Sequence, residues 1–406
     1  MTRLHSFFSF LSGVIVILGF ASGSLLTKEF DSNSQNATSR IFVDSSATTG
    51  AQNGSSWSDA FTSLSQALDT ARNCGIDTIL VATGTYFPTD SLGVVPADPR
   101  QVSFTLPSTG VLLGGFDPAM GITTLTDRDP MVATTILSGD LSGDDATSYA
   151  DIDELHSVAE RGDNAYHVIR QVEIRTTFVT TTNTGATIDG FTITGGNANL
   201  QGDFTEDGGA IYLYQSQLKL GLCILDYNSA LNDGGAIQID SLSTLLMDSC
   251  ILSSNFAKDD GGALSTDSSS VLMVNISRFA YNQSDDDGGA LELKGVGALD
   301  QCFFLANQCG EDGGAIDVHV FDGEGGKLGL RRSGFNLNVA GEEGGSVFID
   351  FGATAFVDST FFNYGSAAAG GAIFNVDSLV CQFCSFTGNE STSLGGAIVN
   401  VNNMEL

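Results

Sequence analysis

Six acidic residues each stand directly before a Gly-Gly pair: Asp207, Asp233, Asp260, Asp287, Asp312 and Glu343. Glu206, Asp259, Asp285, Asp286, Glu311 and Glu342 thicken the same stretch. Clustered carboxylates suit a hard cation, and calcium takes about six to eight such oxygens. The same residues have a plainer use. Asp before Gly is ordinary turn chemistry, in which the side chain accepts backbone N–H groups. The sequence leaves both readings open, a calcium stripe and a column of turns.

Other reactive residues are sparse. A polyuronate lyase would set calcium-binding carboxylates beside a base that removes a proton. The second half offers only Lys219, Lys258, Arg278, Lys294, Lys327, Arg331 and Arg332 as cations. Arg331-Arg332 reads as an outward pair. His156, His167 and His319 show no metal-ligand or triad spacing. An enzymatic site would have to be built from the early, irregular region, where Arg128, Asp129, Arg161, Asp163 and His167 occur. Cys381-x-x-Cys384 has redox or zinc spacing, but both fall at positions that read as buried, where cysteine acts as a small hydrophobe. The odd count of seven cysteines leaves one thiol free or paired between chains.

What must position these residues is a repeat. Gly-Gly-Ala-Ile-like units begin at Gly208, Gly234, Gly261, Gly288, Gly313, Gly344, Gly370 and Gly395, spaced 26, 27, 27, 25, 31, 26 and 25 residues apart. Six residues before each glycine pair after the first stand Asn228, Asn255, Asn282, Asn307, Asn338, Tyr364 and Asn389. Three earlier come Leu225, Leu252, Phe279, Phe304, Phe335, Phe361 and Phe386; two further back, Cys223, Cys250, Ser277, Cys302, Ser333, Ser359 and Cys384; three more, Leu220, Met247, Val274, Leu299, Leu330, Phe356 and Cys381. A spacing of two is strand periodicity, and no 3.6-residue stripe runs through a unit. One such unit cannot bury its own apolar positions. Stacked as coils of a parallel β-helix at about 4.8 Å, like positions align and bury one another. Stacking would also set the stripe's carboxylates against each other, at roughly 0.9 kcal/mol per pair in water. The asparagines then read as a structural ladder of side-chain amides.

The Gly-Gly-Ala-Ile and Phe-x-x-Asn elements, outright in Phe279-x-x-Asn282, Phe304-x-x-Asn307, Phe335-x-x-Asn338 and Phe386-x-x-Asn389, resemble the repeat of the chlamydial polymorphic outer membrane proteins. The resemblance covers residues 200–400 and implies an exported, displayed, right-handed single-stranded parallel β-helix, often adhesive. The membrane barrel that ends those proteins has no counterpart here. Ile41-Phe42-Val43-Asp44, Gly54-Ser55-Ser56-Trp57, Gly84-Thr85-Tyr86 and Gly114-Gly115-Phe116 resemble the start of secreted β-helix proteins of the pectate-lyase-like superfamily. The polygalacturonase and pectate-lyase catalytic segments of that superfamily find no match.

The chain therefore divides into a signal peptide at 1–24, a linker at 25–40, an N-terminal cap with irregular first coils at 41–200, and regular coils at 201–406. The signal reading rests on Arg3 and His5 before the apolar run Phe7 to Phe20. With it removed, no membrane span is expected. In the cap, Phe61, Leu64, Ala67, Leu68 and Ala71 fall on one helical face, with Ser58 or Asp59 as cap. Thr78–Ala82 reads as a buried strand. Eight residues follow Ile398; the expectation is either that the chain is a fragment or that its open strand edge pairs end to end.

Composition narrows the function. Forty-eight acidic against 16 basic residues give a net charge of −32, which excludes nucleic acid as a partner, since phosphate binding needs a basic face. The expectation is a secreted or cell-surface β-helix, adhesin-like or structural rather than catalytic, meeting surface glycans or cell-surface proteins. The competing reading is a polysaccharide-active enzyme, lyase or glycoside hydrolase, using calcium.

Overall fold

The structure, a computed structural model, describes residues 40–89, 96–146, 148–149, 151–153, 155–172, 185–202, 204–321 and 323–405. The expected signal peptide and nearly all of the linker lie outside the described residues.

Each regular coil contributes four short strands. In the coil after Gly261 they are Leu264–Thr266, Val271–Asn275, Arg278–Ala280 and Gln283–Ser284. Stacked coil on coil, they form four parallel sheets among the described residues. Sheet A has twelve strands and includes Val271–Asn275; sheet B has ten and includes Arg278–Ala280; sheet C has nine and includes Leu264–Thr266; sheet D has eight and includes Gln283–Ser284. The chain is thus a parallel β-solenoid. The one long interval, 31 residues, holds a small antiparallel pair, Val320–Phe321 with Glu324–Gly325.

Period-two alternation decides which side chains enter the interior. In sheet B the inward column is Leu225, Leu252, Phe279, Phe304, Phe335, Phe362 and Phe386, each paired with its equivalent one coil on. The phenyl rings from Phe279 to Phe386 stack face to face with centroids 4.6–5.0 Å apart. Burying one such side chain is worth about 1.5–3 kcal/mol, and an aromatic pair adds about 0.5–1.5 kcal/mol. Sheet A supplies Leu220, Met247, Val274, Leu299, Leu330, Val357 and Cys381 to the same core.

One coil departs from the sequence reading. Val357, Thr360, Phe362 and Gly365 take the places expected of Phe356, Ser359, Phe361 and Tyr364. Nine residues separate Phe335 from Gly344, but eight separate Phe362 from Gly370. The missing residue lies within the sheet D segment Ser366–Ala369, where four residues face the five of 339–343, so counting back from the glycines misplaces everything before it by one.

Two glycines per coil have separate reasons. Gly288 adopts φ +61°, in the left-handed region that costs an L-residue energy. At Gly289 the reason is space: a Cβ would lie 2.5 Å from the carbonyl oxygens of Gln308 and Gly314, one coil on.

The asparagines form the expected ladder. The Oδ1 of Asn307 accepts both the backbone N–H and the side-chain amide of Asn282, at 3.1 and 3.0 Å. Its own Nδ2 donates to Phe279 C=O and to Asn338 Oδ1. Asn228, Asn255 and Asn282 repeat this pattern, all buried.

At the amino end, helix α1 (Leu64–Cys74) packs Leu64, Ala67, Leu68 and Ala71 onto the core. Its cap is Ser63, whose side chain accepts the Gln66 N–H, rather than Ser58 or Asp59. Ser56 caps a separate 3-10 turn, Trp57–Asp59. The helix begins later than its apolar spacing suggests because Phe61 is extended and bridges Val43.

Candidate functional site

The six stripe residues line up one per coil, each immediately before the left-handed glycine. Their carboxylates do not simply splay into solvent. Asp207 accepts the backbone N–H of Asp233 at 3.0 Å, Asp260 that of Asp287 at 2.9 Å, Asp287 that of Asp312 at 2.8 Å, and Asp312 that of Glu343 at 2.8 Å. These bonds run from coil to coil, 25 to 31 residues apart, rather than within each turn. Asp233 differs: its carboxylate takes the Lys294 ammonium at 2.9 Å.

Beside the stripe runs the outward column of sheet C: Tyr212, Gln238, Ser265, Glu292, Asp317, Phe348 and Phe374. Outward residues of a solenoid are normally wet, yet Ser265, Glu292 and Asp317 are fully buried. Glu292 is paired. Its Oε2 receives the Ser265 hydroxyl at 2.8 Å and the Lys294 ammonium at 2.7 Å. Burial alone would lower the Lys294 pKa, but Glu292 and Asp233 outweigh it and hold the ammonium protonated. Asp317 meets His319, whose Nδ1 lies 3.1 Å from Asp317 Oδ2.

Crowding of carboxylates in poorly solvated positions disfavours their charge. Burial, reinforced by Asp317, pushes Asp287 up to about 8. Burial and Glu343 push Asp312 up to about 7. Burial, with Asp286 alongside, pushes Asp259 up to about 7, and burial takes Asp207 to about 6. Asp317 is raised to about 6 by burial, in spite of His319.

Among the described residues, three groups of side chains bring potential ligand atoms within 4.8 Å of one another: Asp287 with Asp317 and His319; Asp233 with Asp259 and Asp260; and Asp140 with Asp144 and Asp163. The first two lie on the stripe. Sequence reasoning set His319 aside for lack of spacing and passed over Glu292 and Asp317. The signal was there in the fourth residue after each first glycine, where Glu292 and Asp317 occupy consecutive coils. It becomes visible only once the register of sheet C is known.

The early residues considered for catalysis are not gathered into one site. Arg128 is committed to Asp189 and to the Gly114 carbonyl. Arg161 is buried, donating to Gly196 C=O at 2.9 Å and lying 3.4 Å from Asp145. Asp129 accepts the Met131 N–H in its own loop. His167 is buried, its Nδ1 3.0 Å from Gly208 C=O, and burial pushes its pKa down to about 4. It lines a cavity of about 240 Å³ with Arg100, Arg170, Tyr166 and Phe204. Arg332 grips Asp300, and Arg331 lies over the Phe356 ring at 5.6 Å, as expected of an outward pair. Cys381 is buried and Cys384 half-buried, and all seven cysteines are free thiols.

Residues 383–401 match the family described as the Chlamydia polymorphic membrane protein repeat. That segment holds Phe386, Asn389 and the last Gly-Gly pair, and its strands continue the sheets of the preceding coils in register. No curated protein and no solved structure matches the chain.

Proposed function

We propose that this protein is a secreted or cell-surface solenoid whose role is adhesive or structural rather than catalytic. The observation that carries this reading is an exposed apolar face along sheet B. In the regular coils each sheet B strand is three residues long because single residues in the left-handed region bend the chain at both ends. Those bends present Leu222, Ile276 and Phe383 on one side and Tyr281, Leu337 and Tyr364 on the other, all exposed, with Ile251 and Phe361 between them. Exposed apolar groups arrayed this way suit an extended binding surface. The repeat match supports a surface location. The test is adhesion of protein-coated beads to host-cell and glycan-coated surfaces. Tyr281→Ser combined with Leu337→Ser and Tyr364→Ser should reduce adhesion severalfold without changing the thermal midpoint by more than a few degrees. Unchanged adhesion would remove this face from the reading.

The cavity holding Arg100, Arg170, His167 and two aromatic rings favours a second reading, a polysaccharide-active enzyme. Guanidinium groups suit the carboxylates of acidic sugars. New reducing ends or unsaturated uronate from a panel of neutral glycans and polyuronates, with calcium and with chelator, would establish it in place of the adhesive role.

A further inference from the structure

We propose that Asp287, Asp317 and His319 form a binding site for a first-row divalent transition ion, with zinc the best fit, that ties two adjacent coils together. Asp287 sits on the glycine turn of one coil; Asp317 and His319 belong to the sheet C segment of the next. The fold thus brings together three donors that sequence spacing keeps 30 and 32 residues apart, with ligand atoms within 4.8 Å of one another.

The acidic stripe alone would not point to an ion. What does is the state of Asp317. Its side chain is wholly buried, yet Oδ1 has no hydrogen-bond partner. A buried carboxylate oxygen left unsatisfied costs free energy unless something pairs with it. The Lys294 ammonium is already divided between Glu292 and Asp233. Asp260 and Asp350 add further negative potential around Asp317. A cation bound by Asp317, Asp287 and the imidazole satisfies the orphan oxygen and relieves the repulsion between the two carboxylates.

The donor set selects the ion. Calcium and magnesium are bound by oxygen, whereas imidazole suits zinc, copper, iron and nickel. Zinc–nitrogen and zinc–oxygen bonds of about 2.0–2.2 Å place two ligand atoms on one ion roughly 2.8–3.5 Å apart. Without an ion, His319 Nδ1 lies 3.1 Å from Asp317 Oδ2, a hydrogen-bond contact that leaves Oδ1 as the oxygen open to a metal. The imidazole is only partly buried, so the outward side can accept water or a donor from a bound partner. This site differs from an all-oxygen calcium stripe in using His319 and in lying at a single level of the column.

Calorimetric titration of the chelator-treated full-length protein with zinc and, separately, with calcium tests the assignment. One equivalent of zinc should bind at least about tenfold more tightly than calcium. Asp317→Asn, which keeps shape and removes charge, should weaken zinc at least about tenfold. His319→Ala, at a partly exposed position, should abolish the preference for zinc over calcium, and cobalt(II) bound to this variant should lose the spectral signature of imidazole ligation. Absence of a saturable single zinc site would overturn the proposal. So would zinc binding that persists unchanged in both variants, or a wild-type preference for calcium. Should Asp317→Asn fail to fold, the His319→Ala comparison stands by itself.

Discussion

Asn307 shows how one side chain can hold two coils in register. It accepts two hydrogen bonds from Asn282 and donates to Phe279 and Asn338. Asn307→Ala removes these bonds and strands the backbone N–H of Asn282 in a dry interior. At about 1 kcal/mol for each lost bond, and more for each stranded group, the loss should be about 3–5 kcal/mol in denaturant unfolding. Asn363, half-buried on the outer side of sheet B, is the control, and Asn363→Ala should cost under about 1 kcal/mol. Equal effects would mean that the ladder is not the source of register. Lys294 poses the converse problem. Lys294→Met leaves Glu292 and Asp233 without their cation and should destabilise by about 3–5 kcal/mol at neutral pH. Adding Glu292→Gln should restore part of that loss, because the fully buried carboxylate is then neutral and only Asp233 is left without its cation. A double variant as unstable as the single one would rule out charge as the cause.

The coil with Phe361 and Phe362 separates what sequence can and cannot tell about a strand. Phe362→Ala removes a ring stacked between Phe335 and Phe386 and should cost about 3–5 kcal/mol. Phe361→Ala removes a partly exposed ring that covers Gly334 and should cost about 1 kcal/mol or less. The reverse order, measured by chemical denaturation, would restore the register counted from the glycines. The identity of the columns was legible because every coil repeats it, and the ladder of asparagines and the inward Phe column followed from spacing of two. The offset was not, since a one-residue deletion in the sheet D segment leaves no mark in sheet B when residues 361 and 362 are both Phe. The stripe was legible as a column but not as a site. Asp317 and His319 lie in a different sheet from the glycine turns they face, and only the register between sheet C and the turns puts them beside Asp287. Burial of an outward-facing carboxylate has no sequence signature at all.

Across the whole solenoid these buried carboxylates give stability an unusual dependence on pH. An unfolded Asp titrates near about 3.9. In the folded protein Asp207 and Asp317 titrate at about 6, Asp259 and Asp312 at about 7, and Asp287 at about 8. Between these values and about 4 the folded state holds protons that the unfolded state has released. Stability therefore falls as pH rises. The contribution of these groups is full below about pH 4 and is lost through pH 6 to 8, the opposite of carboxylates engaged in salt bridges. In the presence of chelator, the thermal midpoint should be several degrees higher at pH 5 than at pH 8, at about 1–2 °C per kcal/mol for a chain this size. Divalent cation acts on the same repulsion. It should raise the midpoint at pH 8, where the carboxylates are charged, and have much less effect at pH 5, where protons already occupy them. Asp287→Asn keeps an acceptor for the Asp312 N–H while removing one charge. It should raise the midpoint at pH 8 in chelator and blunt the rescue by cation. A midpoint that is flat from pH 5 to 8, with no response to cation in either protein, would mean that the stripe and the buried column behind it are solvated well enough to carry their charges without cost.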